Sequence, residues 1–186
     1  MSDIATYAAD DRLRDGTTIS IRALRSDDEP DMLAAIAQSS AQSLQRRFFV
    51  MKRHFSDAER AFFMDDDFRD HVALIARVKE EDRNVLVGGC RYIVSEPGKA
   101  EMAFMAVEAW QGRGVGSILM RHLIMLGRAA GLREFTTEVL PENVAMRRIF
   151  TKFGFKAMPR KDPQIVSLAL ELEQSVTPFP AKSART

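Results

Sequence analysis

Residues 109–123 read AWQGRGVGSILMRHL, with glycines at 112, 114 and 116 set against the start of a strongly apolar run. No other stretch limits the fold as much. Glycine admits positive φ and has no side chain to hold a ligand away from the backbone. From Val115 to Ala130 the apolar positions 115, 118, 119, 123, 126 and 130 recur at helical spacing, Ser117, Arg121 and Arg128 form a polar stripe, and Gly131 supplies a stop. Just upstream, AEMAFMAV reads as a strand. A strand therefore runs into a glycine turn, and a long helix leaves it. The first N–H groups of that helix are free beside the positive end of its dipole, which suits a phosphate.

Two common phosphate-binding plans do not fit. A Walker loop needs Lys-Ser/Thr after its last glycine, where this chain has Ser117-Ile118. A Rossmann turn wants a glycine at 117 and alternating parallel strands and helices. Upstream of the turn, HVALIARV (71–78), VLVGGCRYIV (85–94) and AEMAFMAV (100–107) follow one another across the short connections KEEDRN and SEPGK, which predicts an antiparallel meander.

The remaining elements follow from local pattern. TTISIRAL alternates as a strand with one buried face, and SDDEPDMLAAIAQSS carries an acidic, capped first turn and helical spacing. SLQRRFF and SDAERAFFM are expected short helices, the second opened by a Ser56/Glu59 capping box. After the glycine helix come a strand REFTTEVL, a helix in PENVAMRRIFTKFGF and a last strand QIVSLALEL. Residues 1–16 are polar and 174–186 hold little that could pack, so flexible segments are expected on either side of one domain at 17–173. With 27 basic against 26 acidic side chains, the chain has no general footprint for nucleic acid or a membrane surface, and any basic patch must be local. One cysteine, Cys90, permits no internal disulfide. With no visible signal segment or spanning run, this fits a cytoplasmic protein.

The turn resembles the acetyl-coenzyme A site of the GCN5-related N-acetyltransferases, the GNAT family. The family signature Gln/Arg-x-x-Gly-x-Gly/Ala is matched by Gln111, Gly114 and Gly116, and a second motif downstream by Asn143, Met146, Ile149, Phe150, Gly154 and Phe155. The similarity spans nearly the whole expected domain. It implies an α/β fold with a mixed, mostly antiparallel central sheet flanked by helices. It also implies acetyl-CoA as co-substrate, no metal, and an amine acceptor. The backbone from Gln111 to Ser117, through Gly112, Arg113, Gly114, Val115 and Gly116, would hold the pyrophosphate. A β-carbon at 114 or 116 would intrude there, and the Arg113 side chain could add a charge-assisted bond. Met105, Ala106 and Val107 would pair with the pantetheine arm as an added strand. Asn143 would reach the coenzyme or cap its helix, and Phe150 would pack beside the arm.

Glu101 stands alone as a charge in AEMAFMAV. In protein-acetylating relatives a glutamate at the matching place is the general base, and a partly buried carboxylate acting directly or through water fits that role. Phe150 departs from the family, which often has a proton-donating tyrosine there. The segment SSAQSLQRRFF resembles part of bacterial protein-lysine acetyltransferase domains, so a protein lysine leads as acceptor. A small amine (polyamine, amino acid or aminoglycoside) and a domain that senses acyl-CoA without turnover stay open. So does a monomeric or homodimeric state.

Overall fold

The computed structural model describes residues 4–38, 56–159 and 162–173. Among the described residues, eight strands form one sheet in the order β1-β2-β3-β4-β5-β6-β8-β7. They are β1 (Ala8–Arg12), β2 (Thr18–Ala23), β3 (His71–Glu80), β4 (Arg83–Glu96), β5 (Lys99–Ala106), β6 (Glu134–Val139), β7 (Lys156–Ala157) and β8 (Val166–Glu171). The helices are α1 (Glu29–Gln38), α2 (Asp57–Met64), α3 (Val115–Ala129) and α4 (Val144–Lys152). Every described strand pair is antiparallel except β5 with β6. The expected mixed, mostly antiparallel sheet flanked by helices is what the structure shows.

The continuous apolar run of β3 is explained by cover on both faces. Val72, Leu74, Ala76 and Val78 join the main core with Leu119, Leu123 and Phe135, whereas Ala73 and Ile75 join a smaller core with Leu24, Ala35 and Leu86. The smaller core lies under α1, whose start is fixed by an ionic cluster. Arg22 binds buried Asp28 at 2.7 and 2.6 Å, and Arg77 reaches the same carboxylate at 2.8 Å. Helix α2 opens with the expected capping box, Ser56 N–H donating to Glu59 at 2.8 Å and Glu59 N–H to Ser56 Oγ at 3.3 Å.

The N-terminal segment differs from its expectation. Instead of fraying, residues 8–12 pair with β2 along their whole length, and Leu13 is buried in the main core. The segment is polar because β1 is an edge strand with no fully buried residue. Side chains tie it to α3: Tyr7 OH lies 2.5 Å from His122 Nδ1, and Arg121 pairs with Asp11. The expected helix SLQRRFF and the 174–186 tail lie outside the described residues. Among the described residues no helix is long and apolar enough to cross a membrane.

Candidate active site

Strands β5 and β6 part company early. Only Lys99, Ala100 and Glu101 pair with Glu134, Phe135 and Thr136. Thr137 Oγ then donates to the Met102 carbonyl at 3.0 Å, and beyond that point β5 continues along β4 while β6 follows β8. The parting opens a cleft of about 380 Å³ along the free edge of β5, roofed by the start of α3 on one side and by α4 on the other.

The glycine turn closes one end of this cleft. A one-turn 3₁₀ helix at Glu108–Trp110 leads to Gly112 and Gly114, both at positive φ (75° and 107°), and Gly114 is the N-cap of α3. The first helical bond runs from Ile118 N–H to the Gly114 carbonyl at 3.1 Å, so the amides just before it have no acceptor within the helix. Gly114 is required by its conformation, since a β-carbon there would meet only the Arg14 side chain, at ordinary contact distances of 3.6 Å (Cγ) and 3.9 Å (Nε). Gly116 has a packing reason of its own. A β-carbon there would come within 3.0 Å of Ile149 Cδ1, so this glycine lets α3 and α4 approach.

The structure gathers most of the expected coenzyme residues on the cleft wall: Met105, Ala106, Gln111, Gly112, Gly114, Val115, Gly116 and Ser117. Four stand outside it. Val107 spends its N–H on the Val87 carbonyl (3.0 Å). Arg113 is held by Asp15, at 2.5 Å from Nη2, and its guanidinium lies 3.9 Å over the Trp110 ring. Asn143 is buried and caps α4, its Oδ1 accepting from Met146 N–H at 3.3 Å. Phe150 is 2% exposed and packs edge-on against Phe104 and Phe155, so it belongs to the core beneath the cleft. The three cationic lining residues, Arg14, Arg148 and Lys152, escaped the sequence reading.

Glu101 sits at the last paired position before β5 and β6 separate. Its side chain is exposed, not partly buried as expected. In register it stands opposite Ile93, itself opposite His71, so the three share a sheet face. Beside His71, Asp66 is 3% exposed, and neither carboxylate oxygen has a hydrogen bond although Oδ1 is 3.2 Å from His71 Nε2. The imidazole is disfavoured as a cationic partner for it. Burial and neighbouring Arg91 hold the His71 pKa down, and its Nε2 lies 2.9 Å from Arg91 Nη1. Asp67 is a turn former, accepting from the amides of Arg69, Asp70 and His71 at 2.9, 2.7 and 2.8 Å. Cys90 is buried in the main core.

Residues 38–155 match the family model described as the acetyltransferase (GNAT) family. Over 152 residues the chain is 32% identical to an acetyltransferase of Pseudomonas aeruginosa, covering 81% of each protein. It is 28% identical over 145 residues to acetyltransferase Pat of Mycolicibacterium smegmatis, which covers 77% of this chain and 43% of that longer protein. Among solved structures, the GNAT domain of S. lividans PAT is similar at a TM-score of 0.81 and 32% identity, over 89% of this chain and 97% of that one. The fold is shared with yncA of Salmonella typhimurium, solved with its cofactor acetyl-CoA, at a TM-score of 0.64 and 17% identity over 88% and 99% of the two chains.

Proposed function

This chain belongs to the GNAT family and is an acetyl-CoA-dependent N-acetyltransferase, and from that premise we propose that it acetylates a primary amine, foremost a protein lysine, with Glu101 as general base. The observation that carries this reading is the position of Glu101. It holds the last rung before β5 frees its edge, so its carboxylate stands where the two strands diverge.

The cleft suits the coenzyme on physical grounds. Amides at the start of α3 and the helix dipole favour phosphate, and the free β5 edge can take an extended arm as an added strand. Bound acetyl-CoA supplies a thioester: the amine nitrogen forms a bond to its carbonyl carbon, the carbon–sulfur bond breaks, and the thiol departs. The acceptor must first lose a proton, because an amine of pKa ~10.4 is almost wholly protonated at neutral pH. Glu101, exposed, takes that proton through solvent and returns it to bulk water. Phe150 has no proton to give, and a leaving thiolate with a conjugate acid near ~8.5 needs little help.

The lysine acceptor is supported by SSAQSLQRRFF together with Glu101, the pair that resembles protein-acetylating members of the family. Coenzyme A release measured against lysine peptides, polyamines, amino acids and aminoglycosides tests it. Turnover with peptides is expected. Turnover with small amines alone would replace the acceptor, and binding without turnover on any of them would make the chain a sensor.

A further inference from the structure

Among the described residues the cleft lining contains three cationic side chains, Arg14, Arg148 and Lys152, and no carboxylate, in a chain whose charges otherwise balance at 27 to 26. None of the three has a side-chain hydrogen-bond or ion-pair partner among the described residues. Arg14 comes from an unexpected quarter, the tip of the β1–β2 hairpin. Its N–H approaches the Arg113 carbonyl at 3.4 Å, and its Cγ and Nε lie 3.6 and 3.9 Å from where a β-carbon on Gly114 would be. The Arg14 side chain thus lies within van der Waals reach of the Gly114 position, beside the turn that faces the phosphates.

Arg113, the arginine within the turn, is not available for that work. Asp15 takes its Nε and Nη2 at 3.2 and 2.5 Å, and Trp110 takes its face. The same ion pair pins the hairpin tip to the turn. Farther back, Tyr7 with His122 and Asp11 with Arg121 fasten β1 to α3. The hairpin is therefore anchored to α3 at its base and to the turn at its tip, with one unpaired guanidinium left over the cleft.

We propose that Arg14, and not Arg113, is the cation that grips the phosphates of the coenzyme at the glycine turn, with Arg148 and Lys152 completing the cationic lining from α4. A guanidinium offers a planar fork of donors that matches a phosphate, and such charge-assisted bonds are among the stronger ones in proteins. This rests on the cleft being the acetyl-CoA site.

Calorimetric titration of acetyl-CoA into the wild type, Arg14→Gln and Arg14→Lys tests it, with S-acetylpantetheine, which lacks every phosphate, followed by NMR. Arg14 is exposed, so circular dichroism should show all three chains equally folded. Arg14→Gln is expected to weaken acetyl-CoA about tenfold or more and to leave S-acetylpantetheine unchanged, and Arg14→Lys should recover part of the loss. Dephospho-coenzyme A separates the two phosphate sources. A loss that persists with it assigns Arg14 to the pyrophosphate, and a loss that vanishes assigns it to the 3′-phosphate. An acetyl-CoA affinity within twofold of wild type, or an equal loss for the phosphate-free ligand, would overturn the proposal. Failure of the wild type itself to bind acetyl-CoA would instead overturn the reading of the cleft.

Discussion

The two sides of β5 differ in charge. Along its free edge lies a cleft whose described lining has unspent helix amides, three cations without a partner among the described residues, and no carboxylate. On the face beneath α1 and α2 stand Glu101 and the buried carboxylate of Asp66, and Arg91 on that face is itself buried and bonded to His71 and to the Phe63 carbonyl. A net charge of +1 conceals this division. Such a strand can present an anionic co-substrate on one side and a cationic amine on the other, with little electrostatic conflict between them. The difference also separates two kinds of order. The turn side is fixed by backbone geometry, positive φ at Gly112 and Gly114, whereas the acidic face is set by side chains brought in from β3, β4 and the loop after α2.

Glu101→Gln should break the comparison most severely. Removal of a general base is expected to lower turnover by about 10²- to 10⁴-fold and to flatten the acidic limb of the pH–rate profile, while calorimetry finds acetyl-CoA affinity unchanged. Near-normal turnover at pH 7 would give Glu101 a purely structural role.

Asp66 sharpens the same contrast through stability. Burial pushes its carboxyl up to about 6 against the pull of Arg91, with Asp65 and Asp67 adding to the rise. Asp28 shows the opposite outcome: burial opposes its charge too, yet Arg22, the Arg25 amide and Arg77 hold it below the usual carboxylate range. Because the folded chain binds the Asp66 proton more tightly than the unfolded chain, that contribution is full below pH ~4 and is lost as pH rises through about 6. Asp66→Asn should therefore melt higher than wild type at pH 8, by roughly 1–3 kcal/mol of stability, and show no gain at pH 4. Melting curves that differ equally at both pH values would refute the assignment.

The smallest effect is expected at Phe150. Buried between Phe104 and Phe155, it serves the core under the cleft, so Phe150→Tyr should change turnover by less than about tenfold, under ~1.4 kcal/mol of barrier. A gain of several hundredfold in steady-state assays would mean that the native site lacks an acid it needs.

Much of this was legible in the sequence because the signals were local. The glycine turn and the Ser56 capping box each announce themselves within a few residues, and the long helix and each strand of the meander within a single continuous run. Strand β1 did not, since AADDR has neither apolar alternation nor strand-favouring residues. Its order comes from pairing with β2 and from α3, which no local window contains. Arg14 was hidden for the same reason: only the folded hairpin brings it to a turn distant in sequence. Arg113, by contrast, looked available because its partner Asp15 is equally remote. Phe150 and Asn143 were correctly placed on one helix, but the motif alone did not reveal that both turn inward.

The central claim is that the Gly112–Ser117 turn holds acetyl-CoA. Titrating acetyl-CoA into wild type and Gly114→Val by calorimetry tests it most directly, because valine is strained at φ 107° and distorts the turn while meeting no core residue. Dissociation in the micromolar range for the wild type and no measurable heat for a folded variant is the predicted result. Unchanged affinity in a folded Gly114→Val protein would contradict the account and place the ligand elsewhere.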